Sequence, residues 1–144
     1  MEFILEMFYC FAATFCFALI MNAPKKSLIL SSTSASVGYI IYTYFQLYHS
    51  PMLGFFLGTF FVAASGEIFA RKLKMPATIF IFPGVIPIVP GLGLYETILA
   101  LVQNDIFLAV EIGTRTILNI GCMAIAMAFV SLAAYKIKAH KMEA

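Results

Sequence analysis

A chain of 144 residues that is 62% hydrophobic and 11% charged lies far from a soluble domain, which is nearer half apolar and a quarter charged. One core of this size cannot hide so much apolar surface, which excludes a soluble globular protein and predicts an all-α integral membrane protein. There is room for four or five helices of about 20 residues, as a single membrane domain over residues 1–144. The net charge of +2 includes no basic cluster of the kind that binds nucleic acid.

The amino terminus, Met1-Glu2-Phe3 with Glu6 to follow, lacks the positive start of a secretory signal, so the first apolar run is expected to remain. That run covers about Phe3 to Met21 and ends at Asn22-Ala23-Pro24-Lys25-Lys26, where proline stops the helix and the lysines mark a cytoplasmic loop. Asn22 suits a local cap, with a pore-mouth position as the alternative. The second span, about Leu28 to Tyr48, opens on Ser31-Ser32-Thr33-Ser34-Ala35-Ser36. Ser32, Ser36, Tyr39 and Thr43 fall near one helical face. That face is either a hydroxyl-lined surface or a close-packing seam whose hydroxyls bond back to their own helix. Tyr39, Tyr42, Tyr44 and Tyr48 read as an interfacial aromatic belt.

His49-Ser50-Pro51 carries no Lys or Arg and fits an outer turn. The third span, about Met52 to Ala70, holds Gly54 and Gly58 with Ala63, Gly66 and Ala70, a small-residue pattern for tight helix contacts. It closes on Glu67 and Arg71, four apart and able to pair. Glu67 is either an interfacial carboxylate neutralised by Arg71 or an acid that relays a proton. Lys72 and Lys74 mark a second cytoplasmic loop.

The next stretch, Phe80 to Tyr95, contains Pro83, Gly84, Pro87, Pro90, Gly91 and Gly93. Each proline removes a donor and clashes with the preceding turn, so a helix broken at membrane depth is expected. A proline-kinked helix is the plainer alternative. Backbone freed in hydrocarbon needs partners inside the protein or in water, which places the break beside a cavity. In transporters such half-helices form the solute site. The candidate solute-binding residues are therefore Pro83, Gly84, Pro87, Pro90, Gly91, Tyr95 and Asn119.

Gln103-Asn104-Asp105 makes another outer turn, and Ile106 to Val110 is expected as a short interfacial piece. The last span covers about Ile112 to Tyr135. Glu111, Arg115 and Asn119 repeat every fourth position as a polar stripe, which either guides a charged solute or binds another helix. With Glu67 and Arg71, Glu111 and Arg115 form the candidate proton or charge relay. Lys136, Lys138 and Lys141 close the chain. Basic residues favour the cytoplasmic side, which gives five crossings with the amino terminus outside and the carboxyl terminus inside. Cys10, Cys16 and Cys122 lie in apolar runs without paired spacing, so neither a disulfide framework nor a metal site is implied. No cofactor is expected. With His49 and His140 in loop and tail and no Ser-His pair in one span, the chain is not expected to be an enzyme.

With these residues in place, the chain resembles the small subunit of the split bacterial threonine/serine exporter family. Asn22-Ala23-Pro24, Gly66 through Arg71, Pro76 and Asn119 carry the likeness. The most specific part is Pro83-Gly84-Val85-Ile86-Pro87-Ile88-Val89-Pro90-Gly91 with Tyr95 behind it. The resemblance implies one half of a secondary exporter in a bacterial cell membrane, with a larger membrane subunit as partner. It implies a small hydrophilic substrate, threonine and serine or a dicarboxylate such as succinate. A subunit that only stabilises its partner is the competing class.

Overall fold

The computed structural model describes the backbone of residues 2–143 and the side chains of residues 4–137. The described residues form six α-helices and one 3-10 turn, with no strand: α1 (Glu2–Ile20), α2 (Lys25–Tyr48), α3 (Pro51–Leu73), α4 (Thr78–Val85), the 3-10 turn Ile86–Ile88, α5 (Gly91–Val102) and α6 (Ile106–Glu143). This is an all-α membrane protein. Helices Pro51–Leu73 and Ile106–Ile137 are each long and apolar enough to cross a membrane. The pair Thr78–Ile88 and Gly91–Val102, bent by 56°, makes a third span if it crosses as one. Ile4–Ile20 is apolar but shorter, and the serines of α2 dilute its 24 residues.

Short turns reverse the chain between passes, and three of them use a non-glycine residue in the left-handed region. Asn22 (φ 53°) and Asn104 (φ 62°) follow the last turns of α1 and α5. Ala23 N–H donates to Ala18 O at 3.0 Å, and Asp105 N–H donates to Ala100 O at 2.9 Å. Each bond satisfies a carbonyl left over at a helix end. Asn22 is thus a local cap. Lys74 (φ 54°) ends α3 in the same way, with Met75 N–H on Ala70 O at 3.0 Å.

Two boundaries differ from the sequence expectation. Lys25 and Lys26 form the first turn of α2 and not a loop. Pro24 caps the helix, which needs no donor from it, and Ser27 donates to Pro24 O through both its amide and its hydroxyl, each at 2.8 Å. Ile106 to Val110 is no separate interfacial piece, because α6 runs unbroken from Ile106. Asp105 starts it as an N-cap, its Oδ1 accepting from Leu108 N–H at 3.1 Å. At about 57 Å for 38 residues, α6 exceeds the ~30 Å hydrocarbon core, so it tilts or projects beyond it. It carries through Lys136. The side chains of Lys138, His140 and Lys141 lie outside the described residues.

The serine run packs and bonds back. Ser31, Ser32, Ser36 and Thr43 each donate to a carbonyl four residues earlier, at 2.8–3.0 Å, and Ser31, Ser32 and Ser36 are buried. Ser36 also reaches the Met7 carbonyl of α1 at 3.1 Å; with the other hydroxyls spent on α2 itself, the small side chains let neighbours approach. Ser34 also pairs with Ser65 of α3. The α2–α3 contact is close enough that a β-carbon added at Gly58 would lie 2.9 Å from the Gly38 carbonyl oxygen, and one at Gly54 2.7 Å from that of Tyr42. In lipid, where no hydrophobic force drives helices together, this close approach supplies the dispersion contacts. Tyr42 joins the seam, its ring 4.7 Å from that of Phe55, whereas Tyr44 and Tyr48 are exposed. Phe55, Val62, Val85, Ile88 and Met123 form a buried cluster that ties α3, the broken helix and α6 together.

Candidate functional site

The break begins with a proline that does not end its helix. Pro83 sits inside α4, fully buried, and the helix goes on to Val85. Pro87 then tightens the chain into the 3-10 turn, and Val89 leaves helical geometry at φ −56°, ψ 131°. Pro90 (φ −75°, ψ 63°) caps α5, and Gly91 opens it. Pro87 has no N–H, so the carbonyl of Pro83 loses its helical donor. The first amides of α5, beyond Gly91, lack partners within the helix.

Neighbouring helices hold the lower half of the break in place. Gly84 is buried, and a β-carbon there would lie 2.7 Å from Cγ1 of Val62. Phe80 and Ile88 are fully buried. The upper half is open: Gly91 has nothing within 4 Å of its β-carbon position, and Tyr95 is exposed. Asn119 belongs here by register. A β-carbon on Gly113 would touch Thr97, one on Gly93 would touch Thr116, and Met123 clusters with Ile88. Asn119 is therefore level with the Val89–Gly91 exit.

Two clefts reach the broken helix from the α1 side. One, of about 330 Å³, runs from Asn22 and Pro24 at the α1–α2 turn to Phe82 and Pro83. The other, of about 320 Å³, is lined by Glu6, Tyr9, Cys10, Ala13, Tyr39 and Pro87. They share no lining residue, and one helical turn, Pro83 to Pro87, separates the points at which they touch the broken helix. Both volumes fall within the roughly 300–1,000 Å³ of small-molecule sites.

The charged candidates lie elsewhere. Glu67 and Arg71 face a groove between α3 and α6, with Phe129, Val130 and Ala134. The Glu67–Arg71 pair does not form; Arg71 Nη2 donates to the carbonyl oxygen of Ala134 at 2.7 Å, clasping α3 to α6. The ion pair among the described residues is Arg115–Glu111 at 2.9 Å, with side chains 75% and 60% exposed. Such an exposed pair within one helix contributes only tenths of a kcal/mol. No group of three or more potential metal ligands occurs among the described residues. One acid escaped the sequence reading. Glu6 turns inward on α1, and its Oε2 is buried without a hydrogen-bond partner among the described residues. Its four-residue spacing from Cys10, and of Cys10 from Thr14, was the available signal, since Cys10 and Thr14 are buried while Ile4, Phe8 and Tyr9 are exposed.

The fold and the break define a class first: an all-helical membrane protein built around an interrupted helix seated among its neighbours, as membrane transporters are. More particularly, the chain belongs to the threonine/serine exporter (ThrE) family, whose model matches residues 6–133, and that family is one of transporters. A threonine/serine exporter of Corynebacterium glutamicum is 27% identical over 89 residues, 62% of this chain and 18% of that protein. The matched stretch is thus less than a fifth of the relative's length. No solved structure matches the chain.

Proposed function

We propose that this chain is one membrane subunit of a secondary exporter that moves small hydrophilic metabolites by alternating access, with the solute held at the break from Pro83 to Gly91. The observation that carries the reading is the pair of clefts that reach α4 and its 3-10 turn from the α1 side at points one turn apart, Pro83 and Pro87. A rocking of α4 and its 3-10 turn against α1 would open one cleft as it closes the other. The amides that open α5 would hold a carboxylate, with Tyr95 and Asn119 at the exit. Glu67 and Arg71 would pass charge along the α3–α6 groove, and Glu111 and Arg115 would act at the far end of α6.

The substrates this reading favours are threonine and serine, from the family, with a dicarboxylate such as succinate as the alternative. A larger membrane subunit of the same family is the partner. Its support is the apolar surface of α5 and the first half of α6, which no other helix covers. Lys25, Lys26, Arg71, Lys72, Lys74 and Lys136 all gather at one end of the fold, which supports a bacterial plasma membrane with that end cytoplasmic and the amino terminus outside. The same uncovered surface also suits a scaffold subunit that stabilises its partner without lining the path.

The test is efflux of labelled threonine, serine and succinate from vesicles carrying the full chain with its partner. Replacing Pro87 and Pro90 by alanine abolishes efflux while the two subunits still co-purify. Undiminished efflux moves the solute away from the break. Transport by the partner alone, at the rate of the pair, establishes the scaffold.

A further inference from the structure

Glu6 lies on a helix that is otherwise largely apolar and exposed, and among the described residues it is the acid that lines a cleft ending on the break. Ionisable groups within membrane helices are costly and mark solute or ion pathways by default. Its Oε2 is buried with no protein partner among the described residues, and it lines the cleft that ends on Pro87. Among the described residues no cation lies near it on α1 or on the elements packed against α1. The described side chains of α1, α4 and the 3-10 turn include no Lys or Arg, and those of α2, Lys25 and Lys26, begin its far end. Ile20, at that end of α1, lies fourteen positions beyond Glu6, about 21 Å of helix rise.

The rest of the cleft brings no positive charge to Glu6. Pro87 offers no N–H, a carboxylate only accepts, and the donors on the lining are the hydroxyls of Tyr9 and Tyr39 and the weak thiol of Cys10. A second carboxylate brought here would meet like charge. An ammonium group, with three donors and a positive charge, complements a carboxylate that has no cation of its own among the described residues.

We propose that Glu6 binds the ammonium group of the transported solute and so selects α-amino acids over dicarboxylates. This rests on the exporter reading above and adds the residue that sets its specificity.

The test uses vesicles with the full chain and its partner, loaded with labelled L-serine or labelled succinate, comparing wild type, Glu6→Gln and Glu6→Asp. Loss of a charge-assisted hydrogen bond predicts a fall in serine efflux of about 10- to 100-fold for Glu6→Gln. Glu6→Asp recovers most of it, and the serine-to-succinate preference shrinks by the same factor. On the wild type alone, unlabelled 3-hydroxypropionate, which is serine without its ammonium, competes at least tenfold more weakly than serine. Serine efflux that survives Glu6→Gln, or falls no further than succinate efflux, overturns the assignment while leaving the exporter intact. Equal competition by 3-hydroxypropionate overturns it without any variant. A wild-type pair that exports neither solute removes the exporter reading, and this proposal with it.

Discussion

The first four helices and the hairpin formed by α5 with the first half of α6 have similar apolar composition but opposite surroundings. In α2 and α3, glycine and serine bring backbones together, and a β-carbon at Gly38, Gly54 or Gly58 collides with a neighbour. Across residues 91–120, Ala100, Ala109 and Thr116 are the buried residues, α5 touches no helix but α6, and Phe107 is 92% exposed. Apolarity therefore does not distinguish the two regions; what does is that α2 and α3 carry small-residue seams toward several neighbours, whereas the hairpin has one, Gly93 and Gly113 against Thr116 and Thr97. Where small residues line up across two helices the chain packs on itself. Where they do not, the apolar surface is left for lipid or another protein.

The sharpest way to break this contrast is to fill the seam. Gly58→Leu forces α3 off Gly38 and Tyr42 and is expected to destabilise the fold by about 3 kcal/mol, the upper end for overpacking, read as an earlier unfolding midpoint in a denaturing-detergent titration. The matching change in α6, Gly121→Ala, meets open space and should stabilise the helix by about 0.5–1 kcal/mol in the same titration. A destabilising Gly121→Ala would mean that this face is already packed.

Smaller effects sharpen the comparison. The Ser34–Ser65 contact crosses from α2 to α3, and a double-mutant cycle with Ser34→Ala and Ser65→Ala should return a coupling of about 0.6 kcal/mol, the average for hydrogen bonds between membrane helices. The Glu111–Arg115 pair on the hairpin is exposed. Its cycle, with Glu111→Gln and Arg115→Gln, should give no more than about 0.5 kcal/mol and vanish in high salt. A coupling well above the serine pair's would show that the hairpin is buried in an assembly.

Much of the fold was legible because its causes are local. A proline lacks its donor in any surroundings, so the interruption around Pro87 and Pro90 could be read before any packing was known. The serine run could be read as back-bonding for the same reason, since the acceptor is one turn away in the same helix. The exact shape of the break was less legible. Pro83 stays helical because Val62 and its neighbours hold that turn in place, a constraint that no pattern in residues 78–91 records.

The candidate site divides along the same line. Pro83 through Gly91 are together because they are adjacent in the chain, and Asn119 joins them only through the α5–α6 register. Glu67 and Arg71 have the right spacing to pair, yet the Ala134 carbonyl, 63 residues from Arg71, takes the guanidinium. Glu6 reads in one dimension as an acid near a helix start. Only the approach of Pro87 and Tyr39 makes it the wall of a cleft.

By itself, then, the order of residues determined a membrane-embedded, all-helical chain with one interrupted span, because hydropathy and missing donors act within a helical turn. Tertiary structure alone decided which acid faces the interruption, which cation clasps two helices, and which apolar hairpin stands uncovered. Those outcomes depend on contacts between residues tens of positions apart, and such contacts leave no periodic trace in either partner.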